Sequence, residues 1–263
     1  MTWSENVVYK NFVLENKFKD ILETKLDAIK FMTVDTDLQG VEGMKKTINT
    51  YTYEGAVEAV AEGAANTDRG SVTFAGKDYT VKVKQQVFDY TDEQAMKDGN
   101  VVEVGIKGSA IEMVNDLNND FFTEIAKTST VHSHTGAFNY DVVVDAIEKM
   151  NIEDETGLFL IVGNDLKAAI RKDADFKASR LGEILYTGQI GDICGVPVAF
   201  SKKVPANTAY LATKEAVTCF VKKQNEVEQD RDKEKRINTV ITRKVALVAL
   251  TDATKAVKIT VTP

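Results

Sequence analysis

The chain has 263 residues, 43% hydrophobic and 28% charged, with 33 Lys and Arg against 40 Asp and Glu and a formal net charge of -7. That balance speaks against a protein that coats nucleic acid by neutralising phosphates, which needs a basic face. No apolar run approaches the ~18 residues that cross a bilayer, and MTWSENVVYKNFVLENKF lacks the basic-then-apolar order of a signal peptide.

Residues 1–12 read as an extended arm. From Leu14 to about Phe31, the apolar residues Leu14, Phe18, Ile21, Leu22, Leu26 and Ile29 recur every three or four positions and predict an amphipathic helix. Residues 33–47 are loop-like, with Gly40 and Gly43 as breakers. Within them Asp35, Asp37 and Gln39-Gly40 begin like a calcium loop, but Lys46 stands where a bidentate Glu is required, leaving a solvated turn.

INTYTYEGAVEAVAEGAANTDRG is rich in small and polar residues, whereas SVTFAGKDYTVKVKQQVF alternates. Val72 and Phe74, then Tyr79, Val81, Val83 and Val87, flank Ala75-Gly76-Lys77, predicting a β-hairpin that turns there. A lone hairpin is marginal in water. Strands of about ten residues reach roughly 33 Å, so this one needs a neighbour from the same chain or another subunit.

Residues 104–127 hold the clearest helix, with Ala110, Ile111, Val114, Leu117, Phe121, Phe122 and Ile125 as its stripe. Such a helix is a rod of about 36 Å. After Gly136 a second helix runs from Asn139 to Met150, with Val143, Val144 and Ile147 inward. An apolar strand (Leu158 to Val162) leads through Gly163-Asn164 into a helix capped by Asp165 and ended by Asp173 and Asp175.

GQIGDICGVPVAFSKKVPANTAYLATKEAV then carries three strand signals: Val196, Val198 and Phe200; Ala209, Tyr210 and Leu211; and a third starting at Val217. Strand, helix and strand in one region suggest a small α/β domain. VTCFV, INTVITRKVALVAL and KAVKITV predict a terminal antiparallel sheet. The run KKQNEVEQDRDKEKR (Lys222 to Arg236) mixes both signs, and reads as a solvated strand-loop-strand connection or an intersubunit ion-pair surface.

Catalytic signals are absent. No Walker motif, GxGxxG opening a helix, GxSxG or HExxH occurs, and no cofactor is expected. His132 and His134 could bind a metal from a strand, but without a further His or Cys nearby, and flanked by Thr and Ser, they read as a loop. Glu153-Asp154-Glu155 reads as a solvated loop. Cys194 and Cys219 are expected as free thiols, Cys219 on the buried face of a strand with Val217 and Val221, and two free thiols fit a reducing cytoplasm.

The phrase GQIGDICGVPVAFSKKVPANTAYLATKEAV resembles the penultimate part of the major capsid proteins of tailed bacteriophages. QQVFDYTDEQAM (Gln85 to Met96) is similar to that family's passage from its extended loop into its peripheral domain. Residues 104–127 stand where the family has its spine helix. EVEQDRD opens a stretch like its closing strands.

The resemblance implies an α+β fold shared with encapsulins. Its parts would be an N-terminal arm and helix (1–47), an extended hairpin loop (48–90), a peripheral domain with spine helix (91–138), an α/β axial domain (139–216) and closing peripheral strands (217–263). It implies a non-enzymatic protein that assembles into pentamers and hexamers of an icosahedral shell around double-stranded DNA. The shell would be put together in the bacterial cytoplasm, without a membrane. A separate scaffolding protein or a trimmed precursor is also implied, with a portal, decoration proteins as further candidates, and no covalent crosslinking. Arg69, Phe74, Lys77 and Tyr79, near the hairpin end, are the candidate intersubunit contacts, or some of them merely cap the hairpin. The alternatives are an encapsulin-like compartment enclosing a cargo enzyme, or a small α/β enzyme or binding domain.

Overall fold

The computed structural model describes residues 28–173 and 191–262. The expected N-terminal arm, most of the first helix and Asp175 lie outside the described residues. Within them are two sheets and a separate two-stranded ribbon.

The first sheet holds β1 (Thr33–Asp35), β10 (Val217–Asp232), β11 (Ile237–Leu250) and β4 (Lys82–Thr91), in that order. The alternation of β10 divides its two faces. Cys219 and Val221 turn one way towards a helix, and Phe220 turns the other way under Tyr79, Val81 and Leu38. Both cysteines are free, and Cys219 is fully buried as its alternation predicts.

The second sheet has the order β5-β12-β9-β6-β8-β7. Its strands are β5 (Thr130–Thr135), β6 (Leu158–Gly163), β7 (Asp192–Ile193), β8 (Val196–Ser201), β9 (Thr208–Thr213) and β12 (Ala256–Thr262). Every residue of β6 is buried, which explains its unbroken apolar run: the strand is covered on both faces.

Helix α1 (Asp92–Lys97) follows β4 through a capping box, in which the Thr91 hydroxyl and the Gln94 side chain satisfy each other's backbone N–H. Helix α2 (Val101–Ile125) is a rod of 25 residues, about 37 Å long. Its stripe Ile106, Ala110, Met113, Val114, Leu117, Phe121 and Ile125 is buried, whereas Ile111, expected in it, is 43% exposed. The first half packs on Tyr90, Val227 and Val240 of the first sheet. The second half joins Val221 and Val248 of the first sheet to Phe159, Ile161 and Tyr210 of the second, so one core ties the two sheets through α2. Gly105 permits the close approach of α2 to β4, because a Cβ there would lie 2.2 Å from the Phe88 ring.

Helix α3 (Tyr140–Met150) covers the other face of the second sheet, capped by the Asn139 side chain and closed by Asn151 at φ 51°. Its inward residues are Val142, Val143, Ala146 and Met150, whereas Val144, expected inward, is 40% exposed. Helix α4 (Lys167–Lys172) starts later than expected, with Leu166 at its cap. The Asp165 carboxylate instead accepts the N–H of Asn207, tying the turn after β6 to the loop before β9.

Four further expectations are corrected. No turn occurs at Ala75-Gly76-Lys77. β3 (Ser71–Thr80) runs through it and pairs with β2 (Lys45–Glu54), while β4 pairs with β11. Period-two alternation marks a strand but not its partner, and Gly76 lies mid-strand opposite Asn49. β12 leaves the terminal sheet: after the Ala253–Lys255 turn it runs parallel to β5 and antiparallel to β9. His132 and His134 therefore lie on a strand and not in a loop. The charged run is likewise strand, as β10 continues to Asp232 and turns only near Arg236, at φ 57°.

Candidate assembly surfaces

The β2–β3 ribbon is a projecting arm whose tip is the loop of residues 55–70. Directly paired residues share a face, so register alone sorts its side chains. On one face Tyr51 pairs with Phe74 and Tyr53 with Val72; on the other Lys46 pairs with Tyr79 and Ile48 with Lys77. The outer half of the first face is apolar yet bare: Tyr51 is 66% exposed, Tyr53 69%, Val72 62% and Phe74 72%. The Tyr51 and Phe74 rings lie 6.2 Å apart. Tyr53 folds over the neck of the arm, where a Cβ at Gly70 would sit 2.2 Å from its hydroxyl oxygen.

The tip closes on its own acidic side chains. Glu58 accepts the N–H of Thr67 at 2.8 Å and also that of Asp68, which holds its carboxyl below the usual range. Asp68 in turn accepts the N–H of Ala56 at 2.9 Å.

At its root the other face rests on the body. The Tyr79 ring lies tilted against that of Phe220 of β10, with centroids 5.0 Å apart, and is only 5% exposed. The Lys46 ammonium donates to Asp35 and, at 2.7 Å, to Asp37. The two carboxylates that open the calcium-like phrase thus hold a lysine of the same chain. Lys222 of β10 donates to the carbonyls of Val41 and Gly43, fixing the turn that leads into the arm.

Burial alone would push the Asp35 carboxyl up, but the Lys46 ammonium and the Asp37 N–H outweigh it and hold the carboxyl below 3.8. A depressed carboxyl contributes stability above its unfolded value and loses it as pH falls through the folded one. The ion pair should therefore be intact at neutral pH and weaken only when the pH falls below the ordinary carboxylate value. The carboxyl carbon shift of Asp35, followed by NMR, should show its midpoint there.

The sequence-derived contact residues fall into two groups. Arg69 and Phe74 are exposed, at the tip and on the apolar face respectively. Lys77 and Tyr79 belong to the root and not to the hairpin end: Lys77 Nζ donates to the Leu250 carbonyl at 3.3 Å, and Tyr79 is buried against its own chain. Burial corrects the expectation for the Tyr79 ring. Tyr51 and Tyr53 were missed, although their alternation in INTYTY was a strand signal.

Elsewhere, α2 is held to β4 by Lys84, whose ammonium donates to both Asp116 and Asp120. Burial alone would lower the lysine, but the two carboxylates outweigh it and raise it. Lys244 lies opposite Lys84 in the ladder, and its own burial pushes it down. Burial also lowers His132, whose Nε2 has no hydrogen-bond partner among the described residues. Among the described residues no group of three or more His, Cys, Asp or Glu could hold a metal ion.

A family model for phage capsid proteins matches residues 75–259. In sequence the chain is 28% identical over 246 residues to the major capsid protein of Staphylococcus phage phiMR11, a match covering 91% of this chain and 88% of that protein. In structure it is similar to the capsid of a native GTA particle, with a TM-score of 0.74 at 12% identity over 91% of each chain. It is also similar to the mature capsid of bacteriophage PhiM1, with a TM-score of 0.70 at 13% identity over 89% of this chain and 86% of that one. At such identities the structural likeness speaks for the fold: an α+β chain folded as tailed-phage capsid subunits are.

Proposed function

The chain belongs to the phage capsid protein family and is a structural shell protein, and from that premise we propose how it builds the shell. Copies close into pentamers and hexamers of an icosahedral capsid around double-stranded DNA, assembled in the host cytoplasm. The observation that carries this reading is the arm: a ribbon with an apolar outer face that the described residues of its own chain leave bare. A two-stranded ribbon is marginal by itself, and a bare aromatic face is what a contact between copies buries. One surface meeting a different surface on the next copy is a heterologous contact, which closes into rings when the rotation allows.

In this reading Phe74 and Arg69 touch the neighbouring copy together with Tyr51, Tyr53 and Val72, while Lys77 and Tyr79 orient the arm from its root. The chain divides into arm, extended loop, peripheral and axial regions. A separate scaffolding protein, a portal and decoration proteins complete the particle. The acidic balance suits a wall that encloses DNA without gripping it.

The test is negative-stain electron microscopy and size exclusion of the purified chain, alone and with a candidate scaffolding protein. Closed particles, or rings of five and six, are expected, with nucleic acid inside particles recovered from an infected host. A chain that stays monomeric under both conditions overturns the proposal. Particles that carry a protein cargo and no nucleic acid would point to a compartment instead.

A further inference from the structure

Resting on the shell reading, we infer that Lys46 is a positioning residue, whose ammonium, held between Asp35 and Asp37, sets the direction of the arm and thereby the uniformity of the assembled particles.

Lys46 is the second residue of β2, on the face turned to the body. Three elements converge on it. Asp35 ends β1 and Asp37 lies just beyond, the Asp35 carboxylate itself being held by the Asp37 N–H at 2.9 Å. From β10 comes the Phe220 ring, whose centroid lies 5.7 Å from Lys46 Nζ. From β3 comes Tyr79, the cross-strand partner of Lys46, packed against that same ring.

On the β3 side the root is held by the Tyr79–Phe220 ring contact and by the Lys77 bond to the Leu250 carbonyl. The two directional charge-assisted bonds of Lys46 hold the β2 side as well, so the ribbon cannot swing about β3. The Lys46 and Asp35 side chains are 22% and 19% exposed, so solvent competes with them less than with a surface pair. By contrast, the Lys45–Asp78 pair lies within the ribbon on its other face, at 55% and 50% exposure, and joins its two strands to each other.

The lever is long. From Lys46 to the end of β2 at Glu54 the strand extends about 27 Å, so a swing of roughly 10° moves the outer face about 5 Å. A displacement of that size exceeds the reach of a packed contact. Copies whose arms point differently cannot make identical contacts, and identical contacts are what closure on symmetry axes requires.

The test compares Lys46→Met, which keeps the stem over Phe220 and removes the charge, with Lys46→Arg, which keeps the charge. Amide exchange of the full-length chain before assembly is read over residues 45–54 and 71–80. Particle diameters are then read by electron microscopy after assembly. In Lys46→Met the arm amides near the root should exchange about tenfold faster while α2 and β6 are unchanged. Its particles should spread over several diameters where the parent gives one. Lys46→Arg should restore both readings. Should Lys46→Met fail to fold, Asp35→Asn supplies the same comparison from the other partner. Parental exchange and parental diameters in Lys46→Met overturn the inference. If the parent chain itself forms no particles, the shell reading fails separately, and the exchange data alone decide whether Lys46 directs the arm.

Discussion

Replacing Tyr51 and Phe74 together by serine should abolish closed particles and leave a folded chain. The two rings are paired on the bare face of the arm, at 66% and 72% exposure. Within the isolated chain they cover little, and exposed substitutions usually shift stability by about 0.5 kcal/mol or less. Between copies the reckoning differs. An aromatic anchor at the centre of a contact is commonly worth about 2 kcal/mol or more, so losing two weakens each arm contact on the order of a thousandfold. In the proposed shell every copy donates one such contact and receives one, so the loss is amplified. Light scattering and electron microscopy of the double variant, at a concentration where the parent assembles, should show no closed particles. Its thermal midpoint should stay within a few degrees of the parent. Normal particles from this variant would sink the account of the arm face.

The second large effect lies in the core. Phe121→Ala should cost about 3–5 kcal/mol, the usual loss for an inaccessible phenylalanine. Phe121 is 0% exposed and sits in the half of α2 that packs on both sheets. A cavity there loosens the seam between them as well as one side chain's contacts. Against a total stability of roughly 5–15 kcal/mol, the variant should be partly unfolded or insoluble at 37 °C. The neighbour Phe122 makes the control, since its ring meets Phe121 edge-on at 5.3 Å but is only partly buried. Phe122→Ala should cost clearly less. Urea denaturation of both variants measures the difference, and equal losses would show that α2 does not bridge the sheets as described.

The contrast between these two sites follows what can be read along a chain. The α2 stripe was legible because apolar residues at spacings of three and four demand a buried helix face wherever the helix sits. For the same reason β6, the Asn139-capped helix and the buried Cys219 were legible, each resting on residues close in sequence. At the arm the local signal was present but its partner was not. Alternation from Val72 to Val87 fits one hairpin turning at Gly76 as well as two strands in different sheets, and only the pairing of β2 with β3 and of β4 with β11 decides between them.

Composition, charge and periodicity, read alone, determined an acidic chain of helices and strands with a long helix and a ribbon in need of a neighbour. The order of a few phrases placed it beside tailed-phage capsid proteins. Tertiary structure decided the rest: that β12 crosses to the second sheet, that Tyr79 is buried while Tyr51 and Phe74 are bare, and that Lys46 takes the carboxylates of Asp35 and Asp37. The reason is physical. Helical and strand periodicity are set by neighbours a few residues apart, whereas strand pairing, the side a ribbon turns to the body and the partner of a charge depend on residues that meet only when the chain has folded.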